Sequence, residues 1–187
     1  MEIKEKEITV KLKWTLDETK VYFVNKGIPL VGSFILKDIY LINEKVDVKK
    51  LSNLEVLSKS LVIRERTGSF PDKVLMYKNK KYDEKGNILD SKKYLCPLVD
   101  TDKMYDLLLA SGYKECFRYE QECLEYKYKD SSVFIEYIPE LGLFLELENN
   151  NIEVEELISD LKDLNIPYFE DDYYVKKASL MMDTIRR

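Results

Sequence analysis

The chain opens on strict alternation. Over residues 7–14, Glu7, Thr9, Lys11 and Lys13 fall on one side and Ile8, Val10, Leu12 and Trp14 on the other, which is the period of a strand with one charged face. Thr15 with Glu18 three positions on is a capping box, and Leu16, Tyr22 and Phe23 before Gly27 predict a short helix over 16–26. A second strand is expected over 32–41. Residues 43–58 are polar and weakly patterned, predicting a loop with one turn of helix around 51–57. Alternation returns over 61–66, with Val62, Arg64 and Arg66 opposed to Leu61 and Ile63. Strands over 73–82 and 88–96 flank the sequence Glu84-Lys-Gly-Asn87 and predict a hairpin.

Asp100 or Thr101 caps a helix whose stripe is Met104, Leu107 and Leu108 and whose end is Gly112. Strands follow over 116–128, 133–138 and 143–148, the last setting Leu143, Leu145 and Leu147 against Phe144, Glu146 and Glu148. Val154, Leu157, Ile158 and Leu161 mark another helix, stopped near Asn165 and Pro167, and a final helix is expected from about residue 171 to the end. The class is α+β. Charged faces on several strands leave two arrangements, a sheet open to water or a closed or nearly closed barrel with a wet interior and helices packed outside. The charges favour the barrel, because an unpaired buried charge costs several kcal/mol and a water- and ion-filled interior relieves it.

Composition narrows the chemistry. The 187 residues suit a single domain, 1–187, and the formal charge of −5, from 30 basic and 35 acidic residues, gives no support to nucleic-acid binding by phosphate neutralisation. No apolar run is long enough for a bilayer, and the first residues lack the apolar segment of a secretion signal, so a cytoplasmic protein with no membrane association is expected. Cys96, Cys116 and Cys123 lack metal-ligand spacing and read as reduced thiols. Histidine is absent, which removes Ser-His and Cys-His pairs and leaves carboxylates, Lys, Arg and Tyr as the working groups.

Glu7, Glu146 and Glu148, all on alternating strand positions, are candidate ligands for Mg2+ or Mn2+, hard cations that prefer oxygen. Lys11, Arg64, Arg66 and Lys78 are candidate phosphate contacts, Arg as a bidentate fork and Lys as a point charge. A solvated strand face produces the same alternation, so periodicity alone leaves both readings open.

The order of motifs resembles the CYTH superfamily of class IV adenylate cyclases and thiamine triphosphatases, the triphosphate tunnel metalloenzymes. Glu7-Ile-Thr-Val-Lys11 is similar to the family's Glu-x-Glu-x-Lys strand, Lys37-Asp-Ile-Tyr40 to its Gln-x-Asp-x-Tyr strand, Ser60-Leu-Val-Ile-Arg64 to Ala-Leu-Arg-Ile-Arg, and Leu75-Met-Tyr-Lys78 to Leu-Thr-Tyr-Lys. Leu109 to Tyr113 resembles a helix end closed by Gly and an aromatic residue. Ile135 to Glu148 resembles Leu-Asp-x-Val-x-x-Leu-Gly-x-Phe-x-Glu-Ile-Glu, which joins the Leu141-Gly142 turn to both glutamates in register, and Asp172-Tyr-Tyr174 resembles a C-terminal Ser-Tyr segment.

The resemblance covers nearly the whole chain and implies an eight-stranded antiparallel tunnel that binds triphosphate with a divalent metal. It implies phosphates on Lys11, Arg64 and Lys78, metal on Glu146 and Glu148 with Glu7, and a metal-positioned water as the attacking group, with no side chain assigned as catalyst. The substrate it implies is inorganic triphosphate, a nucleoside triphosphate or thiamine triphosphate; the alternatives are cyclisation of ATP to cyclic AMP, or binding with weakened or lost turnover. A homodimer is left open. Thr9, Val62 and Cys123 depart from the pattern at positions where the family carries acidic, basic and basic residues. Arg66 or Lys93 are the candidates to restore positive charge, and Glu125 or Glu136 negative charge.

Overall fold

The computed structural model describes residues 6–82, 88–169, 173 and 175–185, with side chains described outside 79–91. The expected turn at 84–87 and most of the Asp172 to Tyr174 motif lie outside the described residues.

Eight strands form one antiparallel sheet: β1 (Glu7–Lys11), β2 (Leu30–Asn43), β3 (Leu61–Gly68), β4 (Asp72–Tyr82), β5 (Ile88–Pro97), β6 (Tyr113–Tyr128), β7 (Ser131–Ile138) and β8 (Gly142–Glu148). Their order is β1-β8-β7-β6-β2-β3-β4-β5. The expected closure is not made by hydrogen bonds, since β1 and β5 end the order and no ladder joins them among the described residues. The far edge of β1 is occupied by a later segment instead. Thr9 exchanges main-chain hydrogen bonds with Tyr173 and Val175, the Phe169 N–H donates to Lys11, and the Lys13 N–H donates to Pro167. β1 stops at Lys11 rather than continuing to Trp14 as the alternation predicts, and Leu12 beyond it makes an isolated bridge to Tyr168.

The helices are α1 (Leu16–Asn25), α2 (Asn53–Lys59), α3 (Thr101–Ala110), α4 (Val154–Leu164) and α5 (Lys177–Ile185). Thr15 and Glu18 close the expected capping box on α1, and Asp100 rather than Thr101 caps α3 by accepting from the Lys103 N–H. Ser52 and Glu55 form a second capping box that starts α2, where a loop with a single turn is expected from the pattern. The final helix begins at Lys177, later than expected. Among the described residues no helix is long and apolar enough to cross a membrane.

The described residues divide into two compact units: a first of 36–82, 88–120 and 177–185, and a second of 6–35, 121–169, 173 and 175–176. Strands β2 and β6 each run from one unit into the other. In the second unit Ile8, Val10, Val133, Ile135, Leu145 and Leu147 pack as a core with Phe23 of α1 and with Leu157, Leu161 and Leu164 of α4. This face drives folding because each such side chain fully buried is worth about 1.5–3 kcal/mol. The Gly142 φ of +96° closes the turn into β8, where the Leu141 N–H donates to the Ile138 carbonyl at 3.0 Å. In the first unit Leu41, Ile63 and Leu108 form a core, joined by Leu61, Leu75, Met104 and Tyr113.

Candidate functional site

In the second unit the face opposite the core is polar. The β1–β8 ladder sets Glu7 across from Glu148, Thr9 from Glu146 and Lys11 from Phe144. The β7–β8 ladder sets Phe134 across from Glu146 and Glu136 from Phe144, and the β6–β7 ladder sets Cys123 across from Glu136 and Glu125 from Phe134. Cross-strand partners share a face, so Glu7, Lys11, Glu125, Glu136, Glu146 and Glu148 all stand on one side of this sheet. Carboxylates placed directly opposite, as Glu7 and Glu148 are, repel by roughly 0.2–1 kcal/mol, and a cation between them would turn that repulsion into ligation.

Local contacts refine the picture. Thr9 is buried and its hydroxyl donates to Glu146 Oε2 at 3.2 Å. Lys11 Nζ lies 6.0 Å from the Phe144 ring centroid, and a Cβ at Gly142 would meet Lys11 Cε at 3.8 Å, so the turn lies against the lysine stem. Glu136 is only 4 % exposed and accepts a hydrogen bond of 2.7 Å from Gln121 Nε2, which also lies 3.3 Å from Cys123 Sγ. Gln121 Oε1 is buried and accepts no hydrogen bond among the described residues. Cys123, at 0 % exposure, fills a buried place beside Glu136 where the resembled family carries a cation.

Among the described residues no three carboxylates or thiols converge closely enough to enclose a metal on their own. The donor chemistry nevertheless fits Mg2+ or Mn2+. These ions keep several waters and are commonly held by one or two carboxylates plus phosphate oxygens, and the available donors are oxygens without imidazole or accessible thiolate.

In the first unit the cations share a face. Arg64 pairs across the β3–β4 ladder with Val74 and Arg66 with Asp72, while the β4–β5 ladder sets Lys78 across from Lys93 and Val74 from Pro97. By this register and the alternation within each strand, Arg64, Arg66, Lys78 and Lys93 lie on one side. Val62, where the resemblance leads one to expect an arginine, is buried opposite Met76 on that side. Arg66 Nε is 3.5 Å from Asp72 Oδ1.

Arg64 is held by Asp38, which stands in the Lys37-Asp-Ile-Tyr40 motif but is not among the site residues expected from the sequence. Its Nε and Nη2 donate to the two carboxylate oxygens of Asp38 at 2.7 and 2.6 Å, and Asp38 is 2 % exposed. Burial works against the guanidinium charge, but the Asp38 charge and hydrogen bonds outweigh it and hold the Arg64 pKa well above its ordinary value. Beside this pair Tyr40 stacks on Phe117 with centroids 4.4 Å apart and an interplanar angle of 11°. Burial, then the Asp38 charge, pushes the Tyr40 phenol upward, and burial does the same to Tyr119. The signal for Asp38 lies in the alternation of β2, where Phe34, Leu36 and Asp38 are buried and Ile35 and Lys37 exposed. A carboxylate in a buried register needs a cationic partner. Gln121 carries a weaker signal, its position two residues before Cys123 on the same side of β6.

No family model matches the sequence, and no curated protein matches it. Among solved structures, the chain is similar to the PH1819 protein of Pyrococcus horikoshii, with a TM-score of 0.73 at 24% identity over 96% of this chain and 99% of that one. A protein of Vibrio parahaemolyticus provisionally named an adenylate cyclase aligns with a TM-score of 0.68 at 14% identity over 98% and 99% of the two chains. A provisionally named adenylyl cyclase from Hippeastrum, whose dominant activity is as a triphosphatase, aligns with a TM-score of 0.66 at 14% identity over 97% and 96%. The fold is therefore shared with these three proteins over essentially the full length.

Proposed function

We propose that this protein binds a triphosphate group together with Mg2+ or Mn2+ and hydrolyses it. The observation that carries the reading is the register of the second unit, which lines Glu7, Glu146 and Glu148 with Lys11 on one face of the sheet, away from the apolar core. Support also comes from the fold shared with a protein of dominant triphosphatase activity.

On this reading Lys11 supplies a point charge to phosphate oxygens in the second unit; the first unit has a cationic face of its own, Arg64, Arg66 and Lys78 with Lys93 across from Lys78, whose side chains suit phosphate oxygens. On that face Asp38 fixes the plane of the Arg64 guanidinium, so one of its edges is already committed and its remaining N–H groups are held in a set orientation. The bound cation, held by Glu146 and Glu148 with Glu7, would neutralise charge on the polyanion. Hydrolysis passes the terminal phosphoryl group to water and leaves a diphosphate, whose growing negative charge the Lys and Arg side chains stabilise. The partner is thus a small triphosphate or nucleotide rather than nucleic acid, and the setting is the cytoplasm.

A second reading, binding with weak turnover, is favoured by the hydroxyl of Thr9 at Glu146, where an acid would add a ligand. Loss of one ligand or electrostatic donor lowers rates by roughly a hundredfold. Incubating the purified protein with triphosphate or ATP and Mg2+ or Mn2+, then measuring phosphate, pyrophosphate and cyclic AMP, separates the readings. Phosphate release lost in Glu146→Gln is the expected result. Pyrophosphate with cyclic AMP would make it a cyclase, thermal stabilisation without product a binder, and neither binding nor turnover would end the proposal.

A further inference from the structure

The first unit also holds a cavity of about 310 Å3, walled by Val48, Val56, Cys116, Phe117, Met182 and Ile185. Its volume is at the lower end of the roughly 300–1,000 Å3 of small-ligand sites. The walls are contributed by four places in the chain: the 3-10 turn at Val48–Lys50, α2, the start of β6 and α5. Asn53 of α2 donates to Ser179 O at 3.0 Å and to Asp183 Oδ1 at 2.7 Å, so α2 and α5 are tied together beside it.

Two charged residues complete the lining, Lys114 and Glu115, and they differ in what satisfies them. Glu115 is committed, accepting from Arg118 and from the Tyr105 hydroxyl, with the Arg118 hydrogen bonds drawing its carboxyl below the ordinary range. Lys114 Nζ donates to the main-chain oxygens of Glu44 and Val46 at 3.3 and 3.2 Å, and no carboxylate lies within ion-pair distance of it among the described residues. An ammonium carries three N–H donors, so one donor and the full positive charge remain.

We propose that this cavity binds a small aliphatic monocarboxylate, its carboxylate on Lys114 and its tail against Val48, Val56, Phe117 and Met182. The walls select an apolar body by excluding water, and the ammonium selects an anion at one end. A bare inorganic anion would leave the apolar walls unmatched. An alcohol of the same length would fill the space without using the charge. None of the residues assigned to triphosphate binding takes part, so the proposal stands apart from that function.

The test uses octanoate, octan-1-ol and octylammonium, each titrated into the full-length protein with calorimetry and backbone-amide NMR. Octanoate is expected to saturate, with shifts centred on Lys114 to Phe117 and Met182, and to bind several-fold more tightly than octan-1-ol, with octylammonium weakest. Lys114→Met should remove the preference for octanoate over octan-1-ol, and Cys116→Phe, which fills the space, should abolish both, with circular dichroism checking that each variant folds. The ranking of the three probes needs no variant. Octanoate shifts that fail to saturate, that centre elsewhere, or that match octan-1-ol in affinity would overturn the proposal.

Discussion

Thr9 is the residue at which the proposed cation site is most directly tested. It stands opposite Glu146 and donates to it, so Glu146 has a neutral neighbour where a second carboxylate would sit. Thr9→Glu should lower the Tm without metal, because two carboxylates then share a largely buried site, and Mg2+ should raise the Tm of the variant more than that of the parent. Equal Mg2+ responses in the two proteins would argue against a cation at Glu146. Asp38 is the other sensitive residue. Asp38→Ala leaves the Arg64 guanidinium without its bidentate partner, and since Arg64 keeps some exposure the expected loss is about 3 kcal/mol, read from urea midpoints. Asp38→Asn, which keeps shape and one acceptor, should lose less. Periodicity alone revealed which side chains share a strand face, including Glu146 with Glu148 and Arg64 with Arg66. For Asp38 and Gln121 it gives only their registers, and their significance comes from partners on other strands.

At the scale of elements, helix starts respond to pH in a predictable way. Glu18 accepts from the Thr15 N–H and hydroxyl, Glu55 accepts from those of Ser52, and Asp100 accepts from the Lys103 N–H; in each case the main-chain hydrogen bond is the chief cause of a lowered pKa. A carboxyl with a lower pKa folded than unfolded contributes stability that is complete above its unfolded pKa, about 4, and is lost as pH falls through the lowered folded value. Glu18→Gln and Glu55→Gln should therefore flatten the fall in urea midpoint below about pH 4 while changing little near pH 7. An acid limb as steep in the double variant as in the parent would contradict this. The same caps explain which helices the pattern discloses. In α4, Leu157, Leu161 and Leu164 repeat at helical spacing and are buried, whereas α2 buries only Val56 in seven residues and leaves its Ser52-x-x-Glu55 box as the sole clear signal. Helix α5 starts later than the pattern predicts because the segment before it is drawn into hydrogen bonds with β1, a long-range effect with no local mark.

For the molecule as a whole, ligand linkage gives the broadest test. Triphosphate with Mg2+ should raise the Tm, by an amount equivalent to about 2.7 kcal/mol at a hundred times Kd, and Glu146→Gln should shrink the rise. Added salt should weaken it as cation–phosphate contacts are screened. Strand number and order of appearance were largely legible in the chain, but closure was not, because whether β1 and β5 pair is decided by what else reaches the edge of β1. The turn at Leu141 and Gly142 has one more implication, for the kinds of genetic change the protein tolerates. Because Gly142 fixes where β8 begins, the acidic face depends on odd and even positions counted from that point. Replacing a single residue alters one side chain, as at Thr9 or Cys123. Inserting a single codon between Leu143 and Phe144 would exchange the two faces of β8 and drive Glu146 and Glu148 into the apolar core. This part of the gene should therefore drift by substitution while holding its length fixed.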